Sequence, residues 1–191
     1  MPRIVGGTLG GRRFDAPPGK GTRPTSERVR EALASALMSR DAFHGAVLDL
    51  FAGSGALGLE ALSRGGERLV LVERDRRVVA LLKKTVRALG IEDRARVLPL
   101  DLEARGAAAK VAAQGPFSLV FADPPYARAD ALPGLFEALH DAGAFAPNAL
   151  VVAEHAESAA PGPWPAFLAS VGAYRYGPTA LAMLRVGEGA P

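Results

Sequence analysis

Apolar residues along this chain fall into two alternating periods. Val29, Ala32, Leu33, Ala36 and Leu37 recur at helical spacing and form one stripe, leaving Arg28, Arg30 and Glu31 outside it. Pro24 and Thr25 open that helix, with Thr25 as N-cap and Glu27 in the acid-favouring first turn. From Ala46 onward, short apolar runs alternate with helical stretches. The runs are Ala46–Phe51, Arg68–Glu73, Ala95–Leu100, Phe117–Ala122 and Ala149–Glu154. The helices between them end near Arg64, span about Asp75–Leu89 and Glu103–Ala113, and cover Ala129–Ala142. The first of these is stopped by Gly65-Gly66 and the second by Gly90. This order predicts βα units and a mainly parallel sheet. The end differs: Ala173–Gly177 and Ala180–Val186 predict an antiparallel hairpin around Gly177-Pro178.

Composition then bounds the class. The chain has 191 residues, 49% hydrophobic and 23% charged, which is globular composition. Cysteine is absent, so disulfides, thiolate metal sites and cysteine nucleophiles are excluded. The first residues carry no signal-peptide pattern, and no apolar run approaches a membrane span, so a soluble cytoplasmic protein is expected. The net charge of +3 is unevenly spread. Residues 1–40 hold eight Lys/Arg against three acids, while the remainder is slightly acidic. Residues 1–24, rich in Gly, Pro and Arg, read as a basic extension ahead of a domain over 25–191. Such a segment is either a phosphate-contacting arm or a solvated terminus.

Two motifs carry chemistry. Asp49-Leu50-Phe51-Ala52-Gly53-Ser54-Gly55-Ala56-Leu57-Gly58 places G-x-G-x-x-G after a strand and at the start of a helix. Glu73 ends the next strand 20 residues after Gly53, where a carboxylate can accept from ribose hydroxyls. Nicotinamide, flavin and S-adenosylmethionine cofactors all use such a turn. Asp49 favours the last, because its charge would repel a pyrophosphate and attract a methionine amino group. Asp101 ends the third apolar segment and is either an adenine acceptor, with the Leu102 backbone reading the ring edge, or a helix cap.

The second motif is Asp123-Pro124-Pro125-Tyr126, directly after the buried run Phe117–Ala122. Ligands of open α/β sheets bind at the carboxyl ends of strands. The prolines stiffen the backbone, so the Pro124 carbonyl and Asp123 can act as two fixed acceptors while Tyr126 offers a flat face. Two acceptors on the N–H bonds of an exocyclic amine localise its lone pair and aim it at a methyl electrophile. A nicotinamide oxidoreductase gives these residues no task. A non-catalytic RNA-binding module is opposed by the retained Asp49, Glu73 and Asp123. An adenine or cytosine amine in DNA and a glutamine side-chain amide remain alternative acceptors.

Asp-Pro-Pro-Tyr resembles the D/N-P-P-Y/F/W motif of amino-methyltransferases. Arg3-Ile4-Val5-Gly6-Gly7, Gly11-Arg12-Arg13, Arg23-Pro24-Thr25 leading to Arg28-Val29-Arg30-Glu31-Ala32-Leu33, and Leu48–Gly65 together resemble the RsmD family of bacterial 16S ribosomal RNA methyltransferases. The resemblance spans nearly the whole chain. It implies a class I methyltransferase fold: α/β, a Rossmann-like doubly wound sheet, mainly parallel, with a C-terminal antiparallel hairpin. It implies methylation of the N2 amine of one guanine in small-subunit rRNA, with S-adenosyl-L-methionine, on the assembled small ribosomal subunit or a late precursor. The implied cofactor set is Thr25, Asp49, Phe51, Gly53, Ser54, Gly55, Glu73, Arg74, Asp101 and Leu102. Asp123, Pro124 and Tyr126 would present the amine. Arg3, Arg12, Arg13, Arg23 and Arg28 would touch RNA. The chain departs from the family in having Thr8-Leu9-Gly10-Gly11 where an aromatic-Arg-Gly often follows Gly7, which removes a stacking residue from the arm.

The remaining notable residues read as structural. His44, His140 and His155 lack metal-ligand spacing, and no metal is expected. Trp164, among three prolines, reads as a loop anchor. Lys83, Lys84 and Arg87 read as a solvated helix face, and Arg74, Arg76 and Arg77 either add to an RNA surface or do the same. A monomer is expected.

Overall fold

A computed structural model describes residues 1–17, 27–158 and 160–187, with residues 126 and 127 described by their backbone alone. The chain forms two compact units, Met1–Leu100 and Asp101–Pro191. The expected boundary at residues 24 and 25 lies outside the described residues, as do the Thr25 cap, Arg23 and Pro24.

The first unit contains α1 (Glu27–Met38), β1 (Ala46–Asp49), α2 (Ala56–Arg64), β2 (Arg68–Glu73), α3 (Arg76–Leu89) and β3 (Ala95–Pro99). Its strands lie in the order β3-β2-β1, all parallel. Parallel strands have helices as crossovers, which is why the apolar runs are continuous rather than alternating. Leu48, Leu59, Leu62, Leu69, Leu71 and Leu82 are fully buried here. The helix α3 is bounded as its sequence predicts. The Asp75 side chain accepts from the N–H groups of Arg77 and Val78, and Gly90 closes the other end in the left-handed region at φ 67°. Residues 1–17 pack into this unit. Ile4 and Phe14 are buried, and Arg3 and Arg13 form an isolated antiparallel bridge.

The second unit contains α4 (Ala107–Ala112), β4 (Phe117–Ala122), a 3-10 turn (Tyr126–Ala131), α5 (Leu132–Asp141), β5 (Phe145–Ala156), β6 (Leu168–Tyr176) and β7 (Thr179–Val186). Its strands lie in the order β4-β5-β7-β6. β4 and β5 are parallel, and β7 runs antiparallel to both of its neighbours. Phe117, Phe121 and Phe136 fill the core. Trp164 anchors its loop against Phe136, with ring centroids 5.8 Å apart.

Four elements differ from the sequence expectation. α4 begins at Ala107 rather than Glu103, because Asp101 draws the Glu103 N–H into a local turn (3.1 Å) before Gly106 caps the helix. α5 begins at Leu132, since the chain leaving Pro125 winds first as a 3-10 turn. β5 starts early, at Phe145, with Asn148 at φ 60° and a register shift against β4 that interrupts its apolar pattern. β6 begins at Leu168 rather than Ala173. It lies at the end of the strand order, most of its side chains are exposed or half-buried, and a bulge falls between Ser170 and Gly172, so hydropathy hardly marks it.

Candidate active site

The glycine turn lies between β1 and α2. Gly53 and Gly55 have φ of 51° and 77°, a region that a side chain with a Cβ rarely adopts. Gly58 is required for another reason. A Cβ there would lie 2.7 Å from Leu69 Cδ1 and 3.1 Å from Asp49 Oδ2. Helix α2 therefore approaches the sheet closely, and its Gly58 N–H donates to Asp49 Oδ2 at 3.1 Å in a buried bond. Asp49 is 2% exposed, and this bond fixes its carboxylate at the end of β1.

Glu73 ends β2 and closes the turn from the other side. Its Oε2 accepts from Gly53 N–H at 3.1 Å, and its Oε1 accepts from the N–H groups of Arg74 (2.8 Å) and Asp75 (2.9 Å). Three backbone donors thus fix both oxygens, and Oε2, which accepts only one of them, keeps lone-pair capacity for a ligand hydroxyl. Phe51 and Ser54 are half-buried within the turn, and Arg74 is exposed beside it. The turn is flanked by two carboxylates and contains no Lys or Arg. That donor set fits a ligand with ribose hydroxyls and a cationic group, and it suits a pyrophosphate poorly.

The second motif belongs to the other unit. Asp123 follows β4 immediately. Pro124 is buried, Pro125 is exposed, and the 3-10 turn begins at Tyr126. Arg128 N–H closes this corner on the Pro125 carbonyl at 2.8 Å, and the Arg128 side chain pairs with Glu103 at 2.8 Å. The corner therefore holds Asp123 at the carboxyl end of its strand. The Tyr126 side chain lies outside the described residues. Asp101 caps its own turn through Glu103 N–H, and Leu102 is half-buried after it.

The structure adds Glu154, which the sequence reading missed. The register pairs Ala122 of β4 with Ala153 of β5, so the next residues, Asp123 just past β4 and Glu154 still within β5, lie side by side on adjacent parallel segments. Glu154 is 8% exposed, and its Oε2 has no hydrogen-bond partner among the described residues. Burial pushes the Asp123 carboxyl up to about 6. Burial first, and then the charge of Asp123, push Glu154 up to about 8. Asp123 ionises first, against a neutral neighbour. Glu154 must then ionise against an anion, and so it keeps its proton at neutral pH. A signal was present in the sequence: Glu154 ends an apolar run as Asp49 and Glu73 do.

The expected RNA contacts take more than one role. Arg3 pairs with Glu27 at 2.9 Å, and its carbonyl accepts from Arg30. Arg12 donates to the Leu89 carbonyl at the end of α3 (2.9 Å). Arg13 and Arg28 are exposed. The N-terminal segment is clamped to the carboxyl-terminal half of α2. Glu60 accepts from the N–H groups of Val5 (2.7 Å) and Gly6 (2.9 Å) and pairs with Arg64 (2.7 Å). Ser63 receives Leu9 N–H on its hydroxyl and Thr8 N–H on its carbonyl, so the residues that depart from the family pattern are docked. The two anchors of this clamp, Glu60 and Ser63, lie about 6 and 10 Å along the helix axis from Ala56, where α2 leaves the glycine turn. Among the described residues no group of metal-ligating side chains is assembled, and no helix is long and apolar enough to cross a membrane.

Comparison with known proteins follows the same lines. The family model of conserved hypothetical protein 95 matches residues 2–185. Ribosomal RNA small subunit methyltransferase D of Escherichia coli is 41% identical over 157 residues, covering 80% of this chain and 73% of that protein. The solved structure of yhhF from Escherichia coli, which carries a methyltransferase name, superposes with a TM-score of 0.80 at 35% identity over 97% of both chains. A hypothetical protein of Thermus thermophilus gives 0.77 at 36% identity, covering 97% of this chain and 100% of the other. The fold is the α/β, Rossmann-like fold of class I methyltransferases. By sequence and by structure, this chain belongs to the RsmD family of ribosomal RNA methyltransferases.

Proposed function

We propose that this chain methylates the exocyclic N2 amine of one guanine in 16S rRNA, using S-adenosyl-L-methionine, on the small ribosomal subunit or a late precursor. The observation that carries the reading is a half-buried Asp123 fixed at the carboxyl end of β4 by a Pro-Pro corner, in a chain of an rRNA methyltransferase family. The N2 position and the small subunit come from the family resemblance, and the acceptor pair Asp123 and Pro124 supports an amine substrate. The protein would act as a cytoplasmic monomer without a metal.

The bound cofactor supplies a methyl group on a cationic sulfur. Glu73 would hold the ribose hydroxyls with oxygens already oriented by Gly53, Arg74 and Asp75 N–H. Asp49, Phe51, Ser54 and Gly55 would surround the methionine part, Arg74 and Thr25 would flank it, and Asp101 with Leu102 would read the adenine. Asp123 and the Pro124 carbonyl would accept the two amine N–H bonds, and Tyr126 would stack on the base. As the nitrogen gains positive charge, an anionic Asp123 stabilises it. A protonated Glu154 leaves Asp123 as the lone anion of the pair.

The test is Asp123→Asn with labelled cofactor and purified small subunits. Cofactor affinity should stay near the unmodified value while methyl transfer falls at least a hundredfold, and nucleoside mass spectrometry should find N2-methylguanosine only with the unmodified protein. Methylation of DNA or of a glutamine side chain, with none in rRNA, would overturn the assignment.

A further inference from the structure

The helix α3 presents a face that the reaction does not use. Arg76, Arg77, Lys83, Lys84 and Arg87 are all exposed, and the helix contains no acidic residue. At about 100° per residue, these five side chains fall within an arc of about 120°, with Ala80 among them. The opposite face, Val78, Val79, Leu82, Thr85, Val86 and Leu89, is buried. The helix is therefore fixed in rotation, and its cations cannot turn away from solvent.

The arrangement works against the helix itself. Arg76 and Arg77 stand in the first turn, where the helix dipole disfavours a cation. Lys83 and Arg87 are like charges at i and i+4. Elsewhere on the surface, Arg3, Arg128 and Arg175 pair with Glu27, Glu103 and Glu157. On α3 only Lys84 has such a partner among the described residues, Asp15 at 2.9 Å. That pair and the bond from Arg12 to the Leu89 carbonyl dock the N-terminal segment at the far end of the helix, where Arg13 is exposed. The near end begins beside Glu73 through the Asp75 N–H. A cationic track thus runs for about 21 Å along α3, from the candidate ribose site to the docked N-terminal segment.

We propose that the exposed face of α3, with Arg13, is the track on which the rRNA phosphate backbone lies, positioning the substrate without reading its sequence. The inference rests on rRNA being the substrate. A spaced row of cations on a rigid element, with one acidic partner among the described residues, is the complement of a polyanion. The RNA would relieve the repulsion that the fold leaves in place.

The test replaces three cations at once, Arg76→Gln, Lys83→Gln and Arg87→Gln, and compares a charge-matched control, Arg105→Gln, Lys110→Gln and Arg175→Gln, on exposed sites of the other unit. Binding to purified small subunits is measured by filter retention over a salt series, alongside methylation kinetics and cofactor affinity. The α3 variant should bind subunits at least tenfold more weakly, with KM raised in proportion. Its kcat and cofactor affinity should be unchanged, and the slope of log affinity against log salt should be shallower by about two units. The control should match the unmodified protein. Equal salt slopes and KM for the α3 variant and the unmodified protein would overturn the proposal, as would an equal loss in the control. Binding is read apart from turnover. Subunits bound on α3 but never methylated would refute the proposed function and uphold the track.

Discussion

Replacing Glu154 by Gln tests the neutral carboxyl that β5 sets beside Asp123. In the folded protein Glu154 is held near pKa 8, against 4.5 for an ordinary glutamate. Between those values the native state keeps a proton that the unfolded chain has released, so stability falls as pH rises by about 1.4 kcal/mol per unit. The contribution is intact below pH 4.5, has lost about 3 kcal/mol at pH 7, and levels off above pH 8 after losing about 5 kcal/mol. Burial at 8% exposure leaves little solvent to screen this effect. Glutamine has the same shape and no proton to lose. Asp123 titrates while Glu154 is neutral, so its own contribution should remain in both proteins and cancel. Urea unfolding from pH 4 to 9 should therefore show Glu154→Gln gaining on the unmodified protein by about 3 kcal/mol between pH 4.5 and 7, which is on the order of 1–2 M in urea midpoint. A difference that stays constant within 1 kcal/mol from pH 5 to 8 would refute the claim that Glu154 is protonated in the fold.

Three further outcomes follow from the geometry. Methyl transfer at saturating substrate should rise from pH 5 to 7 as Asp123 ionises near 6, and an Asp123→Asn profile should be low and flat; a sloping profile in that variant would assign the titration elsewhere. Gly58→Ala forces Leu69 and Asp49 apart from a new methyl and should cost about 1–3 kcal/mol, lowering Tm by roughly 2–10 °C by calorimetry. Glu60→Gln breaks the buried pair with Arg64 and one of the two N–H bonds from Val5 and Gly6. It should cost about 3 kcal/mol and expose those amides to hydrogen exchange, whereas unchanged protection would show that the clamp is not needed.

How far the sequence could be read depended on how local each cause was. The bounds of α3 were legible because Asp75 and Gly90 cap it within its own text. The glycine turn and the Asp123–Tyr126 corner were legible for the same reason, since strand, turn and acid lie within a few residues. The start of α5 was not, because the chain leaving Pro125 spends six residues in a 3-10 turn that hydropathy does not separate from a helix. Glu154 read as the polar end of an apolar run; its importance comes from the β4–β5 register, which sets it beside a residue 31 positions away. The roles of Arg12 and Glu60 were hidden in the same way. Their partners, Leu89 and Val5, lie far along the chain, and the charge count that marks the N-terminal residues as basic cannot show which cations the fold itself uses.

The bulge in β6 reaches beyond the fold of one molecule. An outermost strand offers unspent N–H and C=O groups to any extended chain that drifts alongside, and a straight one can template a stack of copies. The extra residue between Ser170 and Gly172 bends that rim out of register, and Arg175 adds a charge farther along it. Together they make the rim a poor template for the addition of another strand.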